Sequence, residues 1–175
     1  SSKTISFAKG HGVSLVNYVA GQSPLVERQL QVDFLYPAQV SADVKPDAIY
    51  LGRYATGLHQ VQGLPEQFEI KGIAVRDAKP IAGQRFPLVV VSHGFMNFPG
   101  VLSGITENLA SKGYVVAAID HGDMEHAGGT PIHTFAGVLL NRALDQQQVL
   151  QEILAMATQG HTPLGALIDV EAIGI

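Results

Sequence analysis

The sequence predicts an α/β fold: a mostly parallel sheet with an antiparallel N-terminal lead-in. Three observations predict it. Phe86-Pro-Leu-Val-Val-Val-Ser92 and Tyr114-Val-Val-Ala-Ala-Ile119 are continuously apolar and β-branched, the pattern of strands covered on both faces, as in parallel sheets. Each run is followed by helical periodicity, and strand–helix–strand–helix–strand at this spacing implies right-handed crossovers between parallel neighbours. Two earlier segments alternate apolar and polar residues instead, as half-buried strands do.

Residues 1–28 read as irregular apart from a short apolar stretch, Ile5 to Ala8. From Arg28 to Pro37, Leu30, Val32 and Phe34 alternate with polar residues, and Pro37 ends the strand. Residues 38–65 read as one long loop, which in a compact domain is functional or mobile. Phe68 to Val75 alternates again and gives the second lead-in strand, and Asp77 to Gln84, with Pro80 and Gly83, reads as a turn. Pro99 to Lys112 is helical, with Val101, Leu102, Ile105 and Leu109 as its apolar face and Gly113 as its stop. Asp120 to His133 is a polar, glycine-rich loop. Phe135 to about Thr158 is a long helix whose stripe is Leu140, Leu144, Val149, Leu150, Ile153, Leu154 and Ala157, with Gly160 as its stop. Ala172 to Ile175 opens another apolar strand.

Length and composition narrow the classes. The chain of 175 residues suits one domain, 1–175, with a core over about 28–175, and at 46% hydrophobic and 15% charged it is not a disordered segment. Net charge is −4 and the 11 Lys and Arg are scattered, so the basic stripe of a nucleic-acid binder is missing. The absence of cysteine excludes disulfides, zinc–thiolate sites and a cysteine nucleophile. No apolar run approaches the roughly 18 residues of a membrane span. No segment reads as a signal peptide, and the chain opens Ser1-Ser2-Lys3 without Met, as either a processed mature end or a leftover expression scar does.

The stretch Arg85-Phe-Pro-Leu-Val-Val-Val-Ser-His-Gly-Phe95 resembles the third strand of α/β-hydrolases and the His-Gly turn that builds their oxyanion hole. Leu109-Ala-Ser-Lys-Gly-Tyr-Val-Val-Ala-Ala-Ile-Asp120 resembles the helix and fourth strand of the same fold. Within that superfamily the chain is most similar to the platelet-activating-factor acetylhydrolase and dienelactone-hydrolase branch. Val32-Asp-Phe-Leu-Tyr-Pro-Ala38, Asn141-Arg-Ala-Leu-Asp145 and Asp169-Val-Glu-Ala-Ile-Gly-Ile175 carry that likeness, the last as a fifth strand leading to the nucleophile. The resemblance covers roughly residues 28–175.

It implies a serine-type carboxylic-ester hydrolase that works through an acyl-enzyme, without a cofactor, on a small ester. Members of the superfamily continue after the fifth strand into Gly-x-Ser-x-Gly, which occurs nowhere here, and their Ser, acid and His follow in chain order. The triad is therefore expected beyond Ile175. The chain is expected to be the N-terminal portion of the domain, its partner the remainder of that domain in the same or a second polypeptide. The family and the start without Met favour the cell envelope or exterior.

By the same resemblance, the backbone N–H of Phe95 is the oxyanion donor supplied by this half. Gly94 is expected to permit a sharp turn without a Cβ. His93 is expected to orient the loop by hydrogen bonding, since the general base of this fold sits on a late loop. Ser92 ends a buried strand and is not on an elbow, so it is not read as the nucleophile. Phe95, Met96, Asn97 and Phe98 are expected at the mouth of the pocket, where two aromatics and a Met suit an acyl or alkyl group; the alternative is packing under a loop.

A rival signal is Asp120-His-Gly-Asp-Met-Glu-His126, which sets His121, Asp123, Glu125 and His126 close together at a strand's end. It is similar to the His-x-His-x-Asp-His motif of metallo-β-lactamase-like hydrolases, but position 119 is Ile instead of the first His. Catalytic zinc usually takes three protein ligands plus water, so a metallohydrolase would need ligands from elsewhere. The plainer reading is a solvated loop on the active-site side. His133 and His161 read as surface or capping residues. Arg142 and Asp145, three apart on one helix, can face each other and are expected as a structural pair tying the helix to a neighbouring loop. A third reading is a non-catalytic half-domain that binds a partner along the fifth strand.

Overall fold

The computed structural model describes residues 1–13, 25–53, 63, 65, 67–95, 97–122, 131–159 and 162–175; within its elements, residues 6–13, 25–28, 53, 131–134 and 136 are described by backbone alone. Seven strands and two α-helices are described: β1 (Ser2–Val13), β2 (Leu25–Leu35), β3 (Ile49–Arg53), β4 (Gln67–Lys71), β5 (Phe86–Ser92), α1 (Ser103–Ser111), β6 (Val115–Asp120), α2 (Pro131–Gln159) and β7 (Ile168–Gly174). Short 3₁₀ turns, Pro99–Leu102 and Gly165–Leu167, lead into α1 and β7.

Five strands form the main sheet in the order β1-β2-β6-β5-β7. β5 pairs in parallel with β6 (Leu88 opposite Val115) and with β7 (Phe86 opposite Ile168). β2 pairs antiparallel with β6, and β1 antiparallel with β2, so the lead-in is the outer part of the sheet. β6 lies between β2 and β5 with Val115 to Ile119 all buried, which is why its sequence shows no alternation.

The two helices cover opposite faces. On one, Val149 and Ile153 of α2 join Leu30, Val32, Phe34, Leu88, Val90, Val115, Ala117 and Ile119 in the main core. On the other, Ala110 of α1 packs with Leu35 and Val116. α1 ends as the sequence predicts: Gly113 takes φ +92°, and the Tyr114 amide donates back to the Leu109 carbonyl at 3.3 Å, a closing bond of the Schellman kind. Among the described residues no helix is long and apolar enough to cross a membrane.

Several expectations are corrected. The first residues are not irregular: β1 pairs with β2 from Ser2 opposite Leu35 onward. An outermost strand bonded on one side only needs no continuous apolar run, so it leaves little trace in the sequence. The long loop contains β3, which pairs with β4 in a separate two-stranded sheet. The 68–75 segment therefore belongs to a hairpin beside the main sheet and not to its lead-in.

Both helices turn differently from their leucine patterns. Val101, in the 3₁₀ turn before α1, and Ile105 on α1 are exposed, while Ser103, Thr106, Glu107 and Ala110 are buried. On α2, Leu140 and Leu144 are exposed, and Asn141 and Asp145 face inward. In each case buried polar groups with specific partners set the orientation, which apolar periodicity does not register.

Glu107 accounts for α1. Its carboxylate accepts from the Tyr50 hydroxyl at 2.9 Å, from the Ile73 amide at 2.9 and 3.0 Å on its two oxygens, and from the Ala74 amide at 2.9 Å. One side chain thereby ties the β3–β4 hairpin to the helix. Burial, and then the Glu107 carboxylate, hold the Tyr50 hydroxyl far above its ordinary pKa, so it stays a donor. The fit is close: a Cβ on Gly72 would stand 2.2 Å from Glu107 Oε1.

Removing the carboxylate strands buried donors, each costing roughly 1–3 kcal/mol. In urea titrations Glu107→Ala should lose about 3 kcal/mol and Tyr50→Phe about 1 kcal/mol. A Glu107→Ala loss below about 0.5 kcal/mol would show that this carboxylate does not hold the hairpin.

Candidate active site

The described polar groups that the sequence singles out meet at the carboxyl ends of β5 and β6. Ser92 is the last residue of β5 and His121 directly follows β6, and these strands are parallel neighbours. Arg142 and Asp145 come from α2, one turn apart on the face that crosses those ends.

A continuous hydrogen-bonded chain joins them. Asp145 Oδ2 lies 2.8 Å from His121 Nδ1, and His121 Nε2 lies 2.8 Å from Ser92 Oγ. Arg142 Nη1 donates to Ser92 Oγ at 2.9 Å and also to the His93 carbonyl, while Nη2 donates to the Gly94 carbonyl at 3.1 Å. An ionised carboxylate only accepts, so Nδ1 of His121 carries a proton. In the neutral ring Nε2 then accepts the Ser92 hydroxyl proton, and Ser92 Oγ accepts from the guanidinium. His121 and Asp145 are each 2% exposed; at that depth every unpaired group would carry a desolvation cost.

His93 adds a second layer. Its ring is 2% exposed and stands edge-on to His121 with centroids 5.2 Å apart. His93 Nε2 accepts the His121 amide at 3.3 Å, and Nδ1 meets the Gly94 carbonyl at 2.8 Å. A proton on Nδ1 satisfies both contacts.

Phe95 lies three residues past the end of β5, outside its ladder. The residue is 38% exposed, and its ring makes an edge-to-face contact with Phe135 of α2 at 5.2 Å between centroids. Gly94 does not need glycine for its backbone: it lacks a positive φ, and an added Cβ would meet no atom within 4 Å. The sharp-turn argument for Gly94 is thus corrected; what the residue leaves is open space. Asn97 Oδ1 accepts the Phe98 amide at 3.1 Å. Phe98 sits with Ala48 and Tyr50 in the small core under the hairpin, edge-on to Phe68. Met96 lies outside the described residues, as do Asp123, Glu125, His126 and His161.

The connectivity Ser92–His121–Asp145 repeats that of a nucleophile, base and acid. It is closed, however: Arg142 already donates to Ser92 Oγ, and the histidine and aspartate are buried. The metal reading loses its first ligand in the same way, because both ring nitrogens of His121 face protein partners. Among the described residues no group of three His, Cys, Asp or Glu side chains is placed to hold a metal ion. A cavity of about 440 Å³ lies elsewhere, between Leu35–Ala38, Ile73 and Ala74, Phe86 and Glu107. None of Ser92, His93, His121, Arg142 and Asp145 lines it.

His121 as the hub escaped the sequence reading, which placed it in a solvated loop. The available signal was a histidine directly after a fully buried strand, with a Ser ending the parallel neighbour.

Sheet, crossing helices and loop after β5 together make this an α/β-hydrolase-like fold. Residues 17–136 match the family described as platelet-activating factor acetylhydrolase, isoform II, and the chain belongs to that family. Similar proteins include the platelet-activating factor acetylhydrolase of Cavia porcellus, 44% identical over 48 residues, which are 27% of this chain and 11% of that protein. That of Canis lupus familiaris is 49% identical over 41 residues, 23% of this chain and 9% of that protein. Among solved structures, a ferulic acid esterase from Streptomyces cinnamoneus superposes with a TM-score of 0.58 at 26% identity, covering 99% of this chain and 50% of that one. The chain thus corresponds to half the length of that esterase, and the stretches matched in the curated relatives are about a tenth of theirs.

If Asp145 fixes the His121 tautomer, Asp145→Ala should cost about 2–4 kcal/mol. Asp145→Asn, which keeps an acceptor oxygen, should cost less. Nitrogen chemical shifts of His121 in the wild type should report a proton on Nδ1; a proton confined to Nε2 would contradict the assigned chain.

Proposed function

We propose that this chain supplies the oxyanion side of a serine-type carboxylic-ester hydrolase, with nucleophile, acid and base in sequence after Ile175. The nucleophilic hydroxyl adds to the ester carbonyl, and negative charge gathers on the carbonyl oxygen. The Phe95 N–H donates to that oxygen, together with the amide following the nucleophile. The alcohol leaves, and water then releases the acid from the acyl-enzyme. Each such donor is worth roughly 3 kcal/mol of transition-state stabilisation.

The observation that carries this reading is the position of residues 93–95. They leave the carboxyl end of a strand with parallel neighbours on both sides, where open α/β sheets bind their ligands, and they pass open space at Gly94. Family membership supports ester chemistry, since the named relatives are an acetylhydrolase in each mammal and an esterase in the bacterium. The exposed Phe95–Phe135 pair offers an apolar wall for an acyl or alkyl group. The remainder of the domain would join beside β7, the edge strand next to β5, where Ile173 is exposed.

A fluorophosphonate probe tests the proposal on the full-length protein. One serine should be labelled stoichiometrically, and p-nitrophenyl acetate hydrolysis should stop with it. The label should persist in Ser92→Ala. A folded full-length protein with no labelled serine would rule the reading out, and label on Ser92 would relocate the nucleophile into this chain.

A further inference from the structure

The proposed site needs one amide, that of Phe95, aimed at the substrate. A loop outside the ladder has no strand partner to aim it, so some other group must set the orientation of the Gly94–Phe95 peptide. The carbonyl end of that peptide is held twice, by Arg142 Nη2 at 3.1 Å and by His93 Nδ1 at 2.8 Å. The preceding peptide is held as well, by Arg142 Nη1 on the His93 carbonyl. In a trans peptide the C=O and the following N–H point in opposite directions, and the described bonds include no cis peptide. Anchoring the Gly94 carbonyl towards α2 therefore turns the Phe95 N–H away from α2.

We propose that Arg142 is the positioning residue of the oxyanion loop, holding the His93 and Gly94 carbonyls so that the Phe95 amide faces the ester carbonyl. The inference rests on the hydrolase reading above. Arg142 touches no reacting atom; it acts through the backbone of residues 93–95. Its planar fork spans two successive carbonyls at once, which a lysine ammonium does not reproduce. Bonding a cation to the Gly94 carbonyl also polarises the shared peptide, making the Phe95 N–H a stronger donor. Arg142 is itself fixed through Ser92 Oγ, which continues to His121 and Asp145. The half-buried arginine is thus tied back to the buried His121–Asp145 pair.

The test uses Arg142→Ala and Arg142→Lys in the full-length protein, with rates expressed per titratable active site. For Arg142→Ala, kcat on p-nitrophenyl acetate should fall about 100-fold, the scale of a lost oxyanion donor, while KM moves less than about threefold. Affinity for an alkylboronic acid, whose tetrahedral adduct needs the same donor, should fall in parallel. Guanidinium ion at about 50 mM should restore part of kcat in the alanine variant, by returning the missing fork. Arg142→Lys should lose about tenfold in kcat at near-constant KM, and it decides the matter if the alanine variant does not fold. Wild-type kcat in Arg142→Lys or Arg142→Ala, or a loss confined to KM, overturns the assignment. So does a kcat loss that neither guanidinium nor boronate affinity follows. A wild-type protein that neither turns over ester nor takes the fluorophosphonate label defeats the hydrolase reading itself; an active wild type with indifferent Arg142 variants defeats only this inference.

Discussion

The hydrogen-bonded chain from buried Asp145 and His121 through half-buried Ser92 to Arg142 joins α2 to the ends of β5 and β6 and to the loop beyond. Burying His121 and Asp145, and half-burying Ser92 and Arg142, is unfavourable unless each finds its partners, and here the donors and acceptors match. That requirement turns the N-terminal half of α2 so that Asn141 and Asp145 face inward and Leu140 and Leu144 face out. Further along the same helix, Val149 and Ile153 pack by ordinary apolar burial. One helix thus does two jobs: its second half closes the core, and its first half supports the loop.

The same chain illustrates how residue types can mislead. A serine, a histidine and an aspartate at 2.8 Å spacings look like a nucleophile with its base and acid. Counting protons and access reverses that impression. The serine donates its one proton to the ring and accepts from a guanidinium, and the ring and carboxylate are shut away from solvent. What such a cluster supplies is rigidity. A polar network fully satisfied in a low-dielectric interior fixes one arrangement, and an oxyanion donor depends on having only one.

Legibility in the sequence followed burial geometry. β5 and β6 were readable because sheet-interior strands need continuous apolar, β-branched runs, and Gly113 because a helix ending in a positive φ favours glycine. β1 and β3 were not, since a strand bonded on one side tolerates almost any composition. The helix faces were misread for a different reason: Glu107 and Asp145 are buried with their hydrogen-bond partners, and apolar periodicity is blind to that. Of the loop, residues 93–95 were located by likeness to a known turn, and the tie from Arg142-x-x-Asp145 to a neighbouring loop was expected. That His121 sits at the hub could not be derived, because it depends on β6 ending beside β5, a contact between positions 28 residues apart.

The proposed oxyanion site depends on the direction of one peptide bond. A crystal structure of the full-length protein carrying a phosphonate on its nucleophile measures it directly. The account predicts the Phe95 nitrogen at about 2.7–3.1 Å from a phosphonyl oxygen, with the Gly94 carbonyl still on Arg142. A Phe95 amide turned towards α2, or bonded within its own chain and away from the adduct, would contradict it.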